Sequence, residues 1–390
     1  MPLGGEETYR KACMAAGWRG GRGGGEGGRA RGDCYNRPPE DKELPIPDGN
    51  SRRASSTAKY ATADPVRVMM IGRENYLLRL VVAVRSLTDN LGTDQSLSIR
   101  IVEDGLSNRS KERLMHSWDL ERTTVEWLPV DLGGRIDPIT VSGLPPIYLT
   151  RLSAPSYVPE DWDRLIFLDP DVLVVTDIGL LWRQPLGDHH ALATRDPFVP
   201  ILSHPDGLVE WKDAGLPPRA PYLNAAVMLI DVAKWRRDEV PRAAADFVDR
   251  FGDSIRFGDQ DVLNAVLHDR WGELDPRWQV HPRLLQRPRL AARYLDAAVI
   301  EKMSRDPRIY HFGGRLKPWD YRAQHRSDAL FYEYLDRTDW RGWRPPASLK
   351  GGLFRLYDSP LRDWLHPLEV RAGATARALA RSFRRRHSSR

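Results

Sequence analysis

The chain has 390 residues, of which 41% are hydrophobic and 29% are charged, with 30 Pro and a formal net charge of +6. This composition excludes a collagen, a coiled coil and a wholly disordered chain. No stretch approaches the ~18 consecutive apolar residues of a membrane span, and no secretory signal is visible, so we expect a cytoplasmic location.

The cysteines and the charge distribution limit the possible chemistry. Cys13 and Cys34 are the two cysteines, so the rest of the chain has no Cys-ligated metal, internal disulfide or Cys nucleophile. A metal held by Asp, Glu or His would be a hard ion such as Mn²⁺ or Mg²⁺. Residues 61–370 hold 41 basic and 45 acidic residues. Because this central part is slightly acidic, we expect no nucleic-acid partner.

The composition divides the chain into four parts. Residues 1–60 contain 12 of the 31 Gly and are predicted to form a disordered Gly/Arg-rich tail, with an RNA-binding arm or a segment absent from the mature protein as alternatives. A catalytic domain is predicted over 64–320 and a helical extension over 321–370. Residues 371–390 hold seven Arg and no acid, and form a basic tail.

The central part alternates between apolar runs and helical periodicity. The predicted elements, in chain order, are a strand at 66–71, a helix at 75–91, a strand at 98–102, a helix at 107–118, strands at 124–130, 164–168 and 225–231, helices around 234–236 and at 259–268, and a strand at 308–312. This alternation predicts an α/β fold with helices on the faces of a largely parallel sheet.

Two carboxylates follow the strand Leu165–Leu168. Asp169 and Asp171 lie two residues apart in an extended segment, so they can face the same side and bind one divalent cation. Ligands of open α/β sheets bind at the carboxyl ends of strands. The same pattern also describes two surface carboxylates in a turn, or the opening of a haloacid-dehalogenase-type phosphatase with Asp169 as nucleophile.

Three further segments discriminate among these alternatives. They are Pro221 to Asp231 (PYLNAAVMLID), Phe257 to Ala265 (FGDQDVLNA) and Tyr310 to Trp319 (YHFGGRLKPW). Together with the Asp-x-Asp pair, they resemble in order and spacing the retaining sugar-nucleotide glycosyltransferases of family 8. The resemblance covers roughly residues 64–320.

The resemblance implies a GT-A fold, a Rossmann-like mixed sheet flanked by helices, and a UDP-sugar donor bound with Mn²⁺ or Mg²⁺. It implies that Asp169, Asp171 and His311 ligate the metal. Gly313 and Gly314 would let the backbone approach the donor diphosphate, and Lys317 would offset charge on the departing nucleotide. By the same resemblance, Arg151 would lie near the donor.

The sugar-binding residues are also implied by the resemblance. Asn224, Asp259 and Gln260 would hold the transferred sugar, and Asp196 would lie close to it. The catalytic residues would be Gln260, Asp259 and Lys317, with retention at the anomeric carbon. The alternative for the Asp259-Gln260-Asp261 run is a helix N-terminal cap that complements the helix dipole.

One position departs from the family. Arg73 occupies the place of an Asp that usually recognises uracil, whereas Asn75 can still form a hydrogen bond and Tyr76 can still stack on a base. UDP-galactose or UDP-glucose is the expected donor, and a glycan or glycolipid the expected acceptor. The alternatives are the phosphatase and a degenerate protein that only binds a glycan or a partner.

The basic tail is expected to contact membranes. Ala and Leu residues of 371–390 fall on one helical face and several Arg lie off it, which is typical of a peripheral contact with an anionic inner-membrane face. A disordered basic tail is the alternative.

Overall fold

The computed structural model describes residues 64–130, 146–287, 291–314, 317–320 and 325–346. The strands are β1 (Val66–Arg73), β2 (Leu97–Asp104), β3 (Thr123–Pro129), β4 (Arg164–Leu168), β5 (Val172–Val174), β6 (Ala191–Arg195), β7 (Leu223–Asp231), β8 (Trp271–Glu273) and β9 (Ile309–His311). The α-helices are α1 (Leu77–Asp89), α2 (Asn108–His116), α3 (Gly179–Trp182), α4 (Val232–Arg237), α5 (Val240–Phe251), α6 (Asp259–Val266), α7 (Pro282–Gln286), α8 (Ala297–Arg305) and α9 (Arg326–Leu335). Short 3₁₀ helices span Glu74–Tyr76, Pro146–Tyr157, Gly252–Ser254 and Pro276–Gln279.

Seven of these strands form one mixed sheet, in the order β3-β2-β1-β4-β7-β6-β8. Strands β3, β2, β1 and β4 are mutually parallel, β7 runs antiparallel to both β4 and β6, and β8 is parallel to β6. Strands β5 and β9 pair antiparallel in a small second sheet. The predicted α/β mixed sheet with flanking helices is therefore confirmed.

The central strands separate two hydrophobic cores. Along β1, Val68 and Met70 belong to one core, which also contains the apolar face of α1, whereas Met69 and Ile71 belong to the other. All four side chains are buried, as expected for a strand covered by helices on both faces. This double burial explains why the strand appears in the sequence as a nearly continuous apolar run.

The differences from the predicted elements have local causes. Strands β5 and β8 have three residues each, too short for periodicity to be visible. Helix α5, also absent from the prediction, buries Val240, Ala244 and Val248 at four-residue intervals, between more polar positions. The predicted helix at 75 begins as a 3₁₀ turn and becomes α-helical at Leu77.

The remaining predictions fall partly outside the described residues. The two predicted tails, 1–60 and 371–390, lie outside them, and so does the proposed membrane contact. Helix α9 lies within the predicted extension and packs against α1, where the Asn90 amide donates to the Tyr334 hydroxyl oxygen at 2.7 Å. No helix in the described ranges is both long enough and apolar enough to cross a membrane.

Candidate active site

The Asp-x-Asp pair and His311 lie close together because β5, which follows the pair in the chain, pairs with β9, which ends at His311. Strand β5 begins directly after Asp171 and pairs with β9 so that Val172 lies opposite His311. The Phe312 amide donates to the Asp171 carbonyl at 3.0 Å. One ligand atom from each of Asp169, Asp171 and His311 lies within 4.8 Å of the others, and no second such cluster occurs in the described part of the chain.

This donor set fits a divalent cation. Two carboxylate oxygens and one imidazole nitrogen form a mixed set that suits Mn²⁺ or Mg²⁺ and leaves positions open for a substrate. The side chains of Asp171 and His311 are 14% and 13% exposed, so the site is sheltered but open to a ligand. The Asp-Asp-His cluster can therefore hold a metal ion.

Two positively charged side chains, Lys317 and Arg151, contact these carboxylates. The Lys317 ammonium lies 2.7 Å from Asp171 Oδ2. The Arg151 guanidinium pairs with Asp169 through one nitrogen and, at 2.7 Å, with Asp259 Oδ2 through another. Burial alone would raise the pKa of Asp171, but Lys317 and His311 hold that pKa well below its ordinary value. Asp171 is therefore a carboxylate at neutral pH.

Burial has the largest effect on the pKa values of the other two carboxyl groups, Asp169 and Asp259. Burial raises the pKa of Asp169, against the opposing effect of Arg151. Burial also raises the pKa of Asp259 to about 6, although Arg151 favours its ionised form. Arg151 is thus the charge partner of both carboxyl groups. Its place near the donor stays a prediction.

A second cluster surrounds Asp196, which is 1% exposed. Its Oδ1 accepts from the backbone N–H groups of Phe198 and Val199 at 2.8 and 3.0 Å. Its Oδ2 accepts from the side-chain amides of Asn224 at 2.8 Å and Gln260 at 3.3 Å. Asp196 therefore lies beneath two of the predicted sugar-binding residues and orients their amides.

The two acidic residues at the start of α6 have different partners, and the N-cap of this helix, Gly258, has no side-chain cap hydrogen bond. Asp259 points to Arg151, as described above. Asp261 is buried and accepts from the Tyr222 hydroxyl at 2.5 Å and from the backbone N–H groups of Arg256 and Phe257 at 2.7 and 2.9 Å. Asp261 thus stabilises the approach to the helix, whereas Asp259 belongs to the charged cluster.

The predicted nucleotide-binding residues lie at the same edge of the sheet as the metal ligands. Arg73 ends β1 and forms an ion pair with Asp104, at the end of β2, with an Nε–Oδ2 distance of 3.1 Å. Asn75 is exposed. Tyr76 is 4% exposed, and the Arg79 guanidinium lies 4.5 Å from its ring centroid. The Tyr76 ring therefore packs largely within the protein.

The two predicted glycines lie just after His311 in the chain, and Gly313 packs closely against its ring. A Cβ atom at Gly313 would lie 3.1 Å from His311 Cε1 and 3.3 Å from His281 Nε2. Gly314 has a φ of +85°, in the left-handed region that disfavours other residues. Only glycine therefore fits at both positions without a shift of the neighbouring side chains or strain in the backbone.

Three polar residues near the site were not predicted: Thr194, Gln279 and His281. Gln279 lies 3.3 Å from His311 Nδ1 and accepts from Thr194 at 3.0 Å. Burial lowers the pKa of His281 to about 3, so this ring is neutral. A buried polar side chain that depends on a distant partner has no periodicity or local motif, and the sequence offered no signal for these three.

Comparisons with known proteins identify the family. The profile of glycosyl transferase family 8 matches residues 67–323. The chain therefore belongs to glycosyl transferase family 8, and it is a glycosyltransferase with the GT-A fold.

Individual relatives are distant. General stress protein A of Bacillus subtilis is 25% identical over 286 residues, which cover 72% of this chain and 97% of that protein. The galactosyltransferase LgtC, solved in complex with donor and acceptor sugar analogs, is similar with a TM-score of 0.58 at 21% identity, over 73% of this chain and 98% of LgtC. The bifunctional glycosyltransferase WbbM gives a TM-score of 0.60 at 19% identity, over 71% of this chain and 50% of WbbM. The comparisons give no support to the phosphatase alternative.

Proposed function

We propose that this protein is a metal-dependent retaining glycosyltransferase that moves a hexose from a nucleotide sugar, UDP-galactose or UDP-glucose, to a glycan or glycolipid acceptor. The observation that carries the proposal is the cluster of Asp169, Asp171 and His311 with Lys317 and Arg151 beside it. The similarity to LgtC, described as a galactosyltransferase, supports a hexose as the transferred group.

The charged cluster would bind the donor diphosphate. A bound Mn²⁺ or Mg²⁺ would act as a Lewis acid toward the phosphate oxygens. Lys317, at 2.7 Å from Asp171, is close enough to the proposed metal site to offset negative charge on the departing nucleotide. Gly313 and Gly314 would let backbone groups approach the diphosphate without a side chain in the way.

The sugar would lie against Asn224 and Gln260, whose amides are held by Asp196. In the free protein, Gln260 Oε1 also accepts from the Ala225 N–H at 3.2 Å, so this oxygen is held in one direction. A fixed carbonyl dipole on the face of the sugar opposite the diphosphate would stabilise an oxocarbenium-like centre. Asp259, paired with Arg151, would add negative charge to that region.

Retention follows from where the proton acceptor lies. The bond from the anomeric carbon to the diphosphate oxygen breaks, and a bond to the acceptor oxygen forms on the same face. The departing phosphate oxygen takes the acceptor's proton, so no protein base is needed on the opposite face. A covalent intermediate on Asp259 is the alternative route.

Metal dependence can be tested by calorimetry with UDP in the presence and absence of Mn²⁺. We expect Asp171→Asn and His311→Ala to abolish Mn²⁺-dependent UDP binding, since each removes a proposed ligand. The exposed Asp188 provides the matched control, and Asp188→Asn should bind UDP normally. Full Mn²⁺-dependent binding by either site variant would contradict the proposal.

The reaction itself can be tested by screening UDP release across a panel of sugar nucleotides, followed by proton NMR of the first-formed product. An α-linked donor should give an α-linked product, and a β-linked product would refute retention. Gln260→Ala should lower turnover strongly but leave residual activity, whereas removal of a true nucleophile should nearly abolish it. Binding of UDP with no transfer to any acceptor would favour the degenerate binding protein.

A further inference from the structure

A buried hydrogen-bonded chain connects the large sheet to the proposed metal site. Thr194 lies on β6, immediately after the register shift between Ala193 and Thr194. Its hydroxyl donates to Gln279 Oε1 at 3.0 Å, and Gln279 Nε2 lies 3.3 Å from His311 Nδ1. Thr194 and Gln279 are 3% and 6% exposed, so water competes little for these groups.

This arrangement defines a protonation pattern for the ring of His311. An amide N–H that faces Nδ1 requires a lone pair there, so the proton of the neutral ring lies on Nε2. Nε2 in turn lies 3.5 Å from Asp171 Oδ1, where its N–H points toward a carboxylate. A metal ligand needs the opposite arrangement, with the lone pair on Nε2 and the proton on Nδ1.

We propose that Gln279, supported by Thr194, is a positioning residue: it holds the ring of His311 in the metal-free protein and, with its oxygen turned to Nδ1, supports the tautomer that ligates the metal. Rotation of the Gln279 amide about its last side-chain bond exchanges its oxygen and nitrogen. The oxygen then accepts from Nδ1–H, and the nitrogen donates to the Thr194 hydroxyl, which changes from donor to acceptor. The ring releases its Nε2 proton to solvent as the metal binds and takes up one proton from solvent at Nδ1, so its charge does not change. This inference rests on the proposed metal site.

The choice of an amide at this position has an electrostatic reason. The site already contains the carboxylates of Asp169 and Asp171, and a third carboxylate against His311 would favour a doubly protonated ring, which cannot ligate a metal. An amide is neutral and can present either end. The backbone of His311 is fixed separately, because its N–H donates to the Val280 carbonyl at 3.0 Å. Gln279 therefore positions the ring of His311 and is not needed to position its strand.

The first test measures Mn²⁺ affinity of the full chain without nucleotide, by electron paramagnetic resonance of free Mn²⁺. Loss of a hydrogen-bond partner behind a ligating His typically weakens metal affinity about 10–100-fold, and we expect a loss in this range for Gln279→Leu. Thr194→Val, which leaves the amide in place but unsupported, should give a smaller loss. Gln184→Leu is the matched control, since this surface amide bonds only to the nearby Leu180 carbonyl at 3.1 Å among the described contacts. Affinity of Gln279→Leu within twofold of the control would overturn the inference.

The second test observes the ring directly and does not need a metal. In metal-free protein labelled with ¹⁵N-histidine, Nδ1 of His311 should be unprotonated in the natural sequence and protonated in Gln279→Glu, whose ionised side chain can only accept. An unprotonated Nδ1 in Gln279→Glu would show that residue 279 does not control the ring. If the natural protein binds no Mn²⁺ at all, the proposed metal site fails, and this tautomer measurement still decides the inference. The tautomer measurement also decides the inference if Gln279→Leu does not fold.

Discussion

Replacement of Asp196 by Asn is the sharpest test of the described site, because it changes one atom. The carboxylate accepts four hydrogen bonds, two from backbone N–H groups at Phe198 and Val199 and two from the side chains of Asn224 and Gln260. Burial raises the pKa of Asp196. The four donors nevertheless favour the ionised carboxylate, because a proton on either oxygen would find no acceptor among them. In Asp196→Asn, the new NH₂ group must face one of the two pairs of donors.

The cost can be worked out from these contacts. A hydrogen bond to a charged group contributes about 1.5–3 kcal/mol, so the loss of two would cost about 3–6 kcal/mol. Rotation of the partner amides recovers little, because Asn224 Oδ1 accepts from the Ala226 N–H at 3.1 Å and Gln260 Oε1 from the Ala225 N–H at 3.2 Å. Little of the cost is therefore recovered, and we expect a loss of at least about 3 kcal/mol.

The assay is thermal unfolding followed by Trp fluorescence, together with donor kinetics. For a domain of this size, 1 kcal/mol corresponds to about 2 °C, so the Tm of Asp196→Asn should fall by at least about 6 °C. The donor KM should rise while Mn²⁺ affinity is unchanged, because no proposed metal ligand is among the four partners. A Tm within 1 °C of the Asp188→Asn control, or a parallel loss of Mn²⁺ affinity, would refute this account.

Two further predictions concern single charges. Burial raises the pKa of Asp328 to about 6, so its ionisation destabilises the fold above pH 6 and this penalty is relieved as the pH falls toward 4. Asp328→Asn can still accept from the His325 N–H, which is 2.8 Å away, and should gain about 1.4 kcal/mol relative to the natural protein between pH 5 and pH 7.5 in chemical denaturation. The same pH dependence in both proteins would contradict this. Lys317→Met removes an ammonium 2.7 Å from Asp171. Such a charge about 4 Å from a divalent ion is repelled by about 2 kcal/mol even in the dielectric of bulk water, so nucleotide-free protein should bind Mn²⁺ at least about 30-fold more tightly in calorimetry. Unchanged or weaker binding would count against the proposed metal site.

The position of the two carboxylates of the proposed metal site was predictable, because it depends on local features. Asp169 and Asp171 follow a buried five-residue strand, and such a strand delivers its next side chains to the sheet edge where ligands bind. His311 was predicted by resemblance, and its juxtaposition depends on the pairing of β5 with β9. That pairing joins two three-residue strands far apart in the chain, which periodicity alone does not reveal.

The hydrogen bonds of the supporting residues were not predictable, because each joins partners far apart in the sequence; Asp196 itself was placed near the sugar by the resemblance alone. Asp196 bonds to Asn224 and Gln260 across 28 and 64 residues of sequence, and Thr194 bonds to Gln279 across 85. Such contacts are determined by the reversed direction of β7 between β4 and β6 and by the register shift on β6. Neither the direction of a strand nor a register shift is encoded in residues near these polar groups.

The charge balance of the site bears on the order in which its ligands bind. Asp169, Asp171 and Asp259, when ionised, carry three negative charges against the two positive charges of Arg151 and Lys317. With a neutral imidazole the cluster is therefore net negative, which disfavours the approach of a diphosphate. A divalent ion reverses the sign, and only then is an anionic donor attracted. Because the carboxylates are sheltered, salt screens this effect less than it would on an open surface. Metal before nucleotide is the order that these charges favour.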